Sequence, residues 1–137
     1  MKITISTLVN APIALVWDSY SNPEDIKVWN TASPDWHTTS SQVDLRVGGQ
    51  FSSRMEAKDG SFGFDFAGVY TKLVPHELIE YSFGERVATV EFLNQAHGVL
   101  VRVSFDAEDT HTEEQQRNGW QSILDNFSKY VTEKHAS

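Results

Sequence analysis

The chain has 137 residues, 39% of them hydrophobic and 12% aromatic, which suits one domain with one packed core and is unlike a disordered composition. A formal net charge of -8 repels phosphate, so neither a nucleic-acid partner nor an anionic membrane partner is expected, and no cluster of lysine and arginine offsets that balance. The lack of cysteine excludes disulfides and thiolate chemistry; with no apolar run long enough to cross a bilayer, the expected setting is a reducing cytoplasm.

The opening "MKITISTLVNAP" alternates in polarity and predicts a strand over Lys2 to Val9, not a signal peptide. Asn10 and Pro12 open a short helix with Ile13, Val16, Trp17 and Tyr20 on its apolar side. "SNPEDIKVWN" opens a second short helix. Ser21 with Glu24, or Asn22 with Asp25, is the expected cap, and Ile26 and Trp29 face inward. "TASPDWHTTS" reads as a loop.

The period then falls to two. Phe51, Ser53 and Met55 alternate with Ser52, Arg54 and Glu56 across Gln50 to Ala57. "KDGS" predicts a hairpin turn, because Asp-Gly tolerates positive φ. "FGFDFAGVYTKLV" returns with Phe62, Phe64, Phe66, Gly68 and Tyr70 on one face until Pro75 breaks it. Strands over Glu77 to Phe83, Val87 to Leu93 and Val99 to Ala107 follow, and Val43 to Arg46 is a further short candidate before the "GG" break. The closing helix begins at "THTEEQQ", where Thr112 and Gln115 match a reciprocal cap and Glu113 and Glu114 suit the positive end of the dipole. Trp120, Ile123, Leu124, Phe127 and Val131 form its apolar stripe, with Tyr130 bordering it. Gln116 falls inside the same arc, with Gly119 at its edge.

The order of strand, two small helices, about six antiparallel strands and one long helix is an α+β arrangement. A twisted sheet of that size curls. One amphipathic helix laid in its concave side closes a core, and leaves room because a single helix does not fill a wide groove.

Five segments in register, "NAPIALVW", "NPEDIKVW", "DLRVGGQFSSRMEAKDGSFGFDFAGVY", "VPHELIEYSF" and "EEQQRNGWQSILDNFSKYV", carry a resemblance. The chain resembles the bacterial proteins similar to the C-terminal domain of the activator of the heat-shock protein 90 ATPase, in the START-like (SRPBCC) superfamily. That resemblance implies one helix-grip domain over residues 1–137. In it, a curved antiparallel sheet of six or seven strands wraps a long C-terminal helix, with two short helices after the first strand and a ligand cavity between helix and sheet. It implies no single reaction, since the superfamily spans lipid carriers, hormone receptors and aromatase/cyclases, and it transfers no catalytic residue. The eukaryotic activator also engages its chaperone through a separate N-terminal domain, for which these 137 residues leave no room.

The side chains themselves offer little catalytic chemistry. His37, His76, His97, His111 and His135 form no i, i+4 pair and no HExxH pattern, so neither a metal nor a cofactor is expected. Ser52 and Ser53 have no local partner base, and "VGGQF" lacks the lysine and following helix of a phosphate cradle. Asp65 lies opposite Phe64 and Phe66. It is solvated if those rings line the concave side, and a buried acid or base with a raised pKa if the faces are reversed.

Aromatic residues are the strongest signal, and most must form ordinary core. The expected cavity wall comprises Trp29, Trp36, Phe51, Met55, Phe64, Phe66, Tyr70, Phe83, Phe92, Gln116, Gly119, Trp120 and Ile123. Gln116 either bonds a polar ligand head or water at the mouth, or is simply wet; Gly119 answers either a close contact or a need for open space. Arg117, Trp29 and Trp36 are rim candidates that serve equally as a surface cation and packing wedges. The leading expectation is a binding module for a small apolar or amphipathic molecule, acting as a monomer or weak homodimer. The alternative is a chaperone ATPase regulator. An enzyme using Asp65, Arg54 or Glu56 ranks third, because no nucleophile, base and orienting partner are in view.

Overall fold

Alternating polarity along the strands builds one antiparallel sheet, and the 3.6-residue stripe at the end of the chain supplies the helix that covers it. The computed structural model describes residues 1–136. The elements run β1 (Lys2–Val9), α1 (Ile13–Ser21), α2 (Pro23–Trp29), β2 (Trp36–Val43), β3 (Gln50–Ala57), β4 (Gly63–Val74), β5 (Leu78–Phe83), β6 (Arg86–Gln95), β7 (Gly98–Asp106) and α3 (Glu113–Ala136). The seven strands lie in the order β1-β7-β6-β5-β4-β3-β2 and curve around α3 in a helix grip.

On the concave face, Ile3, Ile5 and Val9 of β1 are buried beside Val99, Val101, Val103 and Phe105 of β7. Ala88, Val90 and Phe92 of β6 and Ile79, Tyr81 and Phe83 of β5 continue the layer. Onto it α3 presses Leu124, Phe127 and Val131, each fully or nearly fully buried. Burying a side chain of this size contributes about 2 kcal/mol, which makes the alternating inner face the main stabilising term.

The caps follow the local sequence. Asn22 Oδ1 accepts from the Glu24 amide at 3.0 Å and opens α2. Thr112 Oγ1 accepts from the Gln115 amide and Gln115 Oε1 from the Thr112 amide, both at 3.0 Å, forming the reciprocal cap of α3. Asp25 does not cap. It is buried at the interface of α2 and α3, where it accepts from Tyr130 Oη at 2.5 Å and Lys134 Nζ at 3.0 Å.

Two strand assignments differ from the sequence reading. The stretch expected to be a loop from Thr31 to Ser40 contains most of β2, and Val43 to Arg46 forms no strand of its own, Val43 being the last residue of β2. β2 is a polar edge strand, "WHTTSSQV", in which Thr38 alone is fully buried, so it carries no apolar alternation to announce it. A register shift between Thr38 and Ser40 further breaks its period. The other edge, β1, is closed by α3. Arg117 Nη1 donates to Thr4 O at 2.8 Å, Gln121 Nε2 to Ser6 O at 3.0 Å and Ser128 Oγ to Leu8 O at 3.1 Å.

Candidate functional site

Where the N-terminal half of α3 leaves the core, a pocket of about 310 Å³ lies between that helix and the concave sheet. Its roof is Trp120, Ile123 and Leu124, and Tyr20, Ile26, Trp29 and Asn30 of the short helices and the residue after them close one side. Its floor is built by the sheet: Phe51, Ser53 and Met55 on β3, Phe64, Phe66 and Tyr70 on β4, and Ile79 and Tyr81 on β5. Arg86 stands at the start of β6.

The floor is set by register. Phe51 lies opposite Gly68, Ser53 opposite Phe66 and Met55 opposite Phe64, so one face of two strands presents only these side chains. Gly68 carries no Cβ because one would meet Ser82 O and, at 2.8 Å, the ring of Phe51. That ring instead lies down over the glycine and touches Tyr70 and Tyr81, with centroids 5.2 and 4.9 Å away. The "GG" turn holds the next position. Gly48 N donates to Tyr70 O at 2.8 Å and Tyr70 N to Gly49 O at 2.9 Å, with Gly48 at φ 84°. A bulge after Tyr70 then lets both Tyr70 and Leu73 face inward.

The roof rests on one stacked pair. Trp120 lies parallel to Phe105, with ring centroids 3.9 Å apart and 7° between planes, and its other contacts are edge or tilted meetings with Phe66 and Phe83 at 6.1 and 5.8 Å. Trp29 is a packed wedge. Its Nε1 donates to Ser19 O at 2.9 Å and its ring meets Tyr20 and Phe127, so only part of it reaches the pocket.

Eight of the expected wall positions lie on this pocket: Trp29, Phe51, Met55, Phe64, Phe66, Tyr70, Trp120 and Ile123. Five lie elsewhere. Phe83 is buried, with the Arg86 guanidinium 4.6 Å over its ring. Phe92 sits under α1 against Trp17 and Tyr20. Trp36 packs with Phe62 and Phe64 at the outer end of the sheet and borders a second, more open hollow beside Tyr130.

Gln116 is neither at a mouth nor wet. It is buried, its Oε1 accepts from the Glu108 amide at 2.8 Å, and its Nε2 donates to the carbonyls of Glu108 at 3.1 Å and His111 at 2.9 Å. A glutamine in the apolar arc is thus the latch of the loop before α3, giving a partner to three of its backbone groups. Gly119 has nothing within 4 Å of a built Cβ, which leaves open space and no close contact. Arg117 belongs to the β1 edge.

Sequence reasoning did not place Tyr20, Tyr81 or Arg86 on the wall. Tyr81 was legible as an inward strand position, whereas Tyr20 arrives from α1 and Arg86 from the first residue of β6, and no local pattern encodes their placement on this wall. Asp65 is exposed on the convex face, 3.6 Å from Arg54 Nη1, and Arg54 Nε donates to Glu56 at 3.0 Å. The reversed-face reading of Asp65 therefore falls: it is a solvated carboxylate in a surface ion pair.

Burial pushes the Tyr70 hydroxyl up to about 12, and burial followed by the influence of neighbouring phenols pushes Tyr20 and Tyr81 well above the ordinary tyrosine value. All three phenols are neutral at physiological pH. Among the described residues no group of His, Cys, Asp and Glu is disposed to hold a metal ion, and no helix is long and apolar enough to cross a membrane.

Solved structures align with the whole architecture. The AHSA1-like protein of Aeromonas hydrophila is 44% identical and superposes with a TM-score of 0.93 over 100% of this chain and 96% of its own. A protein of Cytophaga hutchinsonii is 41% identical, with a TM-score of 0.84 over 97% of this chain and 93% of its own. A Nitrosomonas europaea protein, 19% identical with a TM-score of 0.87 over 100% of this chain and 97% of its own, shares the fold. No curated protein matches the chain. The model of the family described as "Activator of Hsp90 ATPase homolog 1-like protein" matches residues 10–132. By that match and by two relatives above 40% identity, the chain is a START-like domain belonging to the Activator of Hsp90 ATPase homolog 1-like family.

Proposed function

We propose that the protein is a non-enzymatic binding module which holds a small, mostly apolar or amphipathic molecule beneath α3, in the cytoplasm, as a monomer or weak homodimer. The observation that carries this reading is the aromatic pocket of about 310 Å³ between roof and floor, a size within the range of small-molecule sites. Its walls are rigid: Trp120 is stacked, Phe51 is laid over Gly68, and Tyr70 is pinned by its backbone. Little ordering remains to oppose binding.

The test is an amide-resolved NMR titration of the labelled protein with aromatic and acyl-chain compounds. The expected result is saturable shifts confined to Trp120–Leu124, Phe51–Met55 and Phe64–Tyr70. A panel that moves none of these amides overturns the reading.

A second reading, regulation of a chaperone ATPase, rests on the family's description alone. It predicts stimulation of a bacterial chaperone of the heat-shock protein 90 type at micromolar protein. An unchanged ATPase rate rejects it.

A further inference from the structure

Three tyrosines meet in the pocket from three elements. Tyr70 and Tyr81 are directly opposed across β4 and β5, so their side chains rise side by side from the concave face. Tyr20 descends from α1, its ring held by Trp29, Phe92 and Phe127 at 5.1, 5.6 and 5.0 Å. All three line the pocket.

Their hydroxyls have no hydrogen-bond partner among the described residues, although Tyr70 and Tyr81 are buried. Ser19 Oγ is the one side-chain oxygen or nitrogen sealed from space without a partner among those residues. The three phenolic oxygens therefore open onto the pocket. Phenylalanine would fill each position with the same ring, so packing alone does not call for the hydroxyls. Three phenols converging without partners are thus the polar part of an otherwise aromatic chamber.

Their chemistry selects one kind of partner. A neutral phenol is a stronger donor than acceptor, and burial keeps each of these protonated. Arg86 adds positive charge at the same wall. Its Nε is spent on Asp106 O at 2.9 Å and its guanidinium lies over Phe83. No carboxylate of the described residues lines the pocket to answer these donors.

We propose that Tyr20, Tyr70 and Tyr81 form a donor cluster that recognises a hydrogen-bond-accepting oxygen, carbonyl or carboxylate, on an otherwise apolar and largely aromatic ligand. This deepens the binding-module reading and rests on it. The acceptor lies against the phenols while its apolar body lies beneath the α3 roof, over the floor of β3 and β4.

The experiment compares 2-ethylnaphthalene, 2-acetylnaphthalene and 2-naphthoate, which share a ring body and differ in the acceptor, by NMR or calorimetric titration. Binding of the two oxygen-bearing probes is expected to be about tenfold tighter than that of the ethyl compound or better, the equivalent of one well-made hydrogen bond. The doubly substituted variant Tyr70→Phe, Tyr81→Phe keeps the rings, and its preference for the oxygen-bearing probes over 2-ethylnaphthalene should fall to about threefold or less. Tyr20→Phe should lower it in the same direction.

Equal affinity for all three probes, or a preference that survives in the phenylalanine variants, overturns the donor cluster and leaves the binding module standing. The second of these outcomes would mean that the hydroxyls serve only water. Failure of every probe to bind removes both proposals.

Discussion

Arg117 on α3 donates to the backbone carbonyl of Thr4 on β1 at 2.8 Å, and this bond does a strand's work with a side chain. β1 is an edge whose outward carbonyls recur at every second residue, and Gln121 and Ser128 take the next two at Ser6 and Leu8. The helix that covers the concave face also blunts the edge, where a second chain could otherwise pair. The doubly substituted variant Arg117→Ala, Gln121→Ala is expected to lose about 1–2 kcal/mol and to self-associate. Urea unfolding measures the first effect and light scattering against concentration the second; a variant as monomeric as the parent would deny the edge this role.

Gln116 makes its bonds to the loop of residues 107–112, not to the pocket. Gln116→Ala leaves the Glu108 amide and two carbonyls without their partner and should cost about 2 kcal/mol in chemical denaturation. Affinity for the naphthalene probes should stay within about twofold, since one unmade contact in the site would cost more than that. A loss of affinity with stability intact would return this residue to the wall.

Gly119 sits inside α3 with open space where a Cβ would project. Gly119→Ala should therefore stabilise the protein by about 1 kcal/mol, the helix preference of alanine over glycine, seen as a higher Tm. A lower Tm would reveal a contact at this position.

Acid should unfold the protein through carboxylates that the fold holds below their usual range. Asp106 is held down by its bond from Lys2 and then by the Val87 amide, and Glu91 by its paired bonds from Arg102. A carboxyl group with a depressed folded pKa contributes stability that is fully present above its unfolded value, about 4, and is lost as the pH falls through the folded one. Urea midpoints should accordingly be flat near neutrality and fall below about pH 4. Asp106→Asn should lower the neutral midpoint and shrink the fall. An unchanged acid limb in that variant would remove Asp106 from the account.

Two local periods carried most of the fold. Period two on β3 to β7 and the 3.6-residue stripe on α3 name the inward residues, because side-chain direction in a strand or helix is a property of the local backbone. The Thr112–Gln115 cap was equally legible, as donor and acceptor lie three residues apart.

β2 was not legible: an edge strand needs no apolar face, so its polar, bulged sequence carries no sign. Nor was the duty of Gln116, since a helical projection shows which arc a side chain occupies and not which backbone waits there. Arg117 was open between the rim and a surface cation for the same reason, its partner on β1 being 113 residues away.

By itself, then, the sequence determined a curled antiparallel sheet closed by a terminal helix and the set of rings between them. The tertiary structure decided which rings pack solid and which border a pocket, and brought Tyr20, Tyr70, Tyr81 and Arg86 to one wall. Chain direction and periodicity are local, but a pocket is what remains when elements distant in sequence fail to fill the space between them.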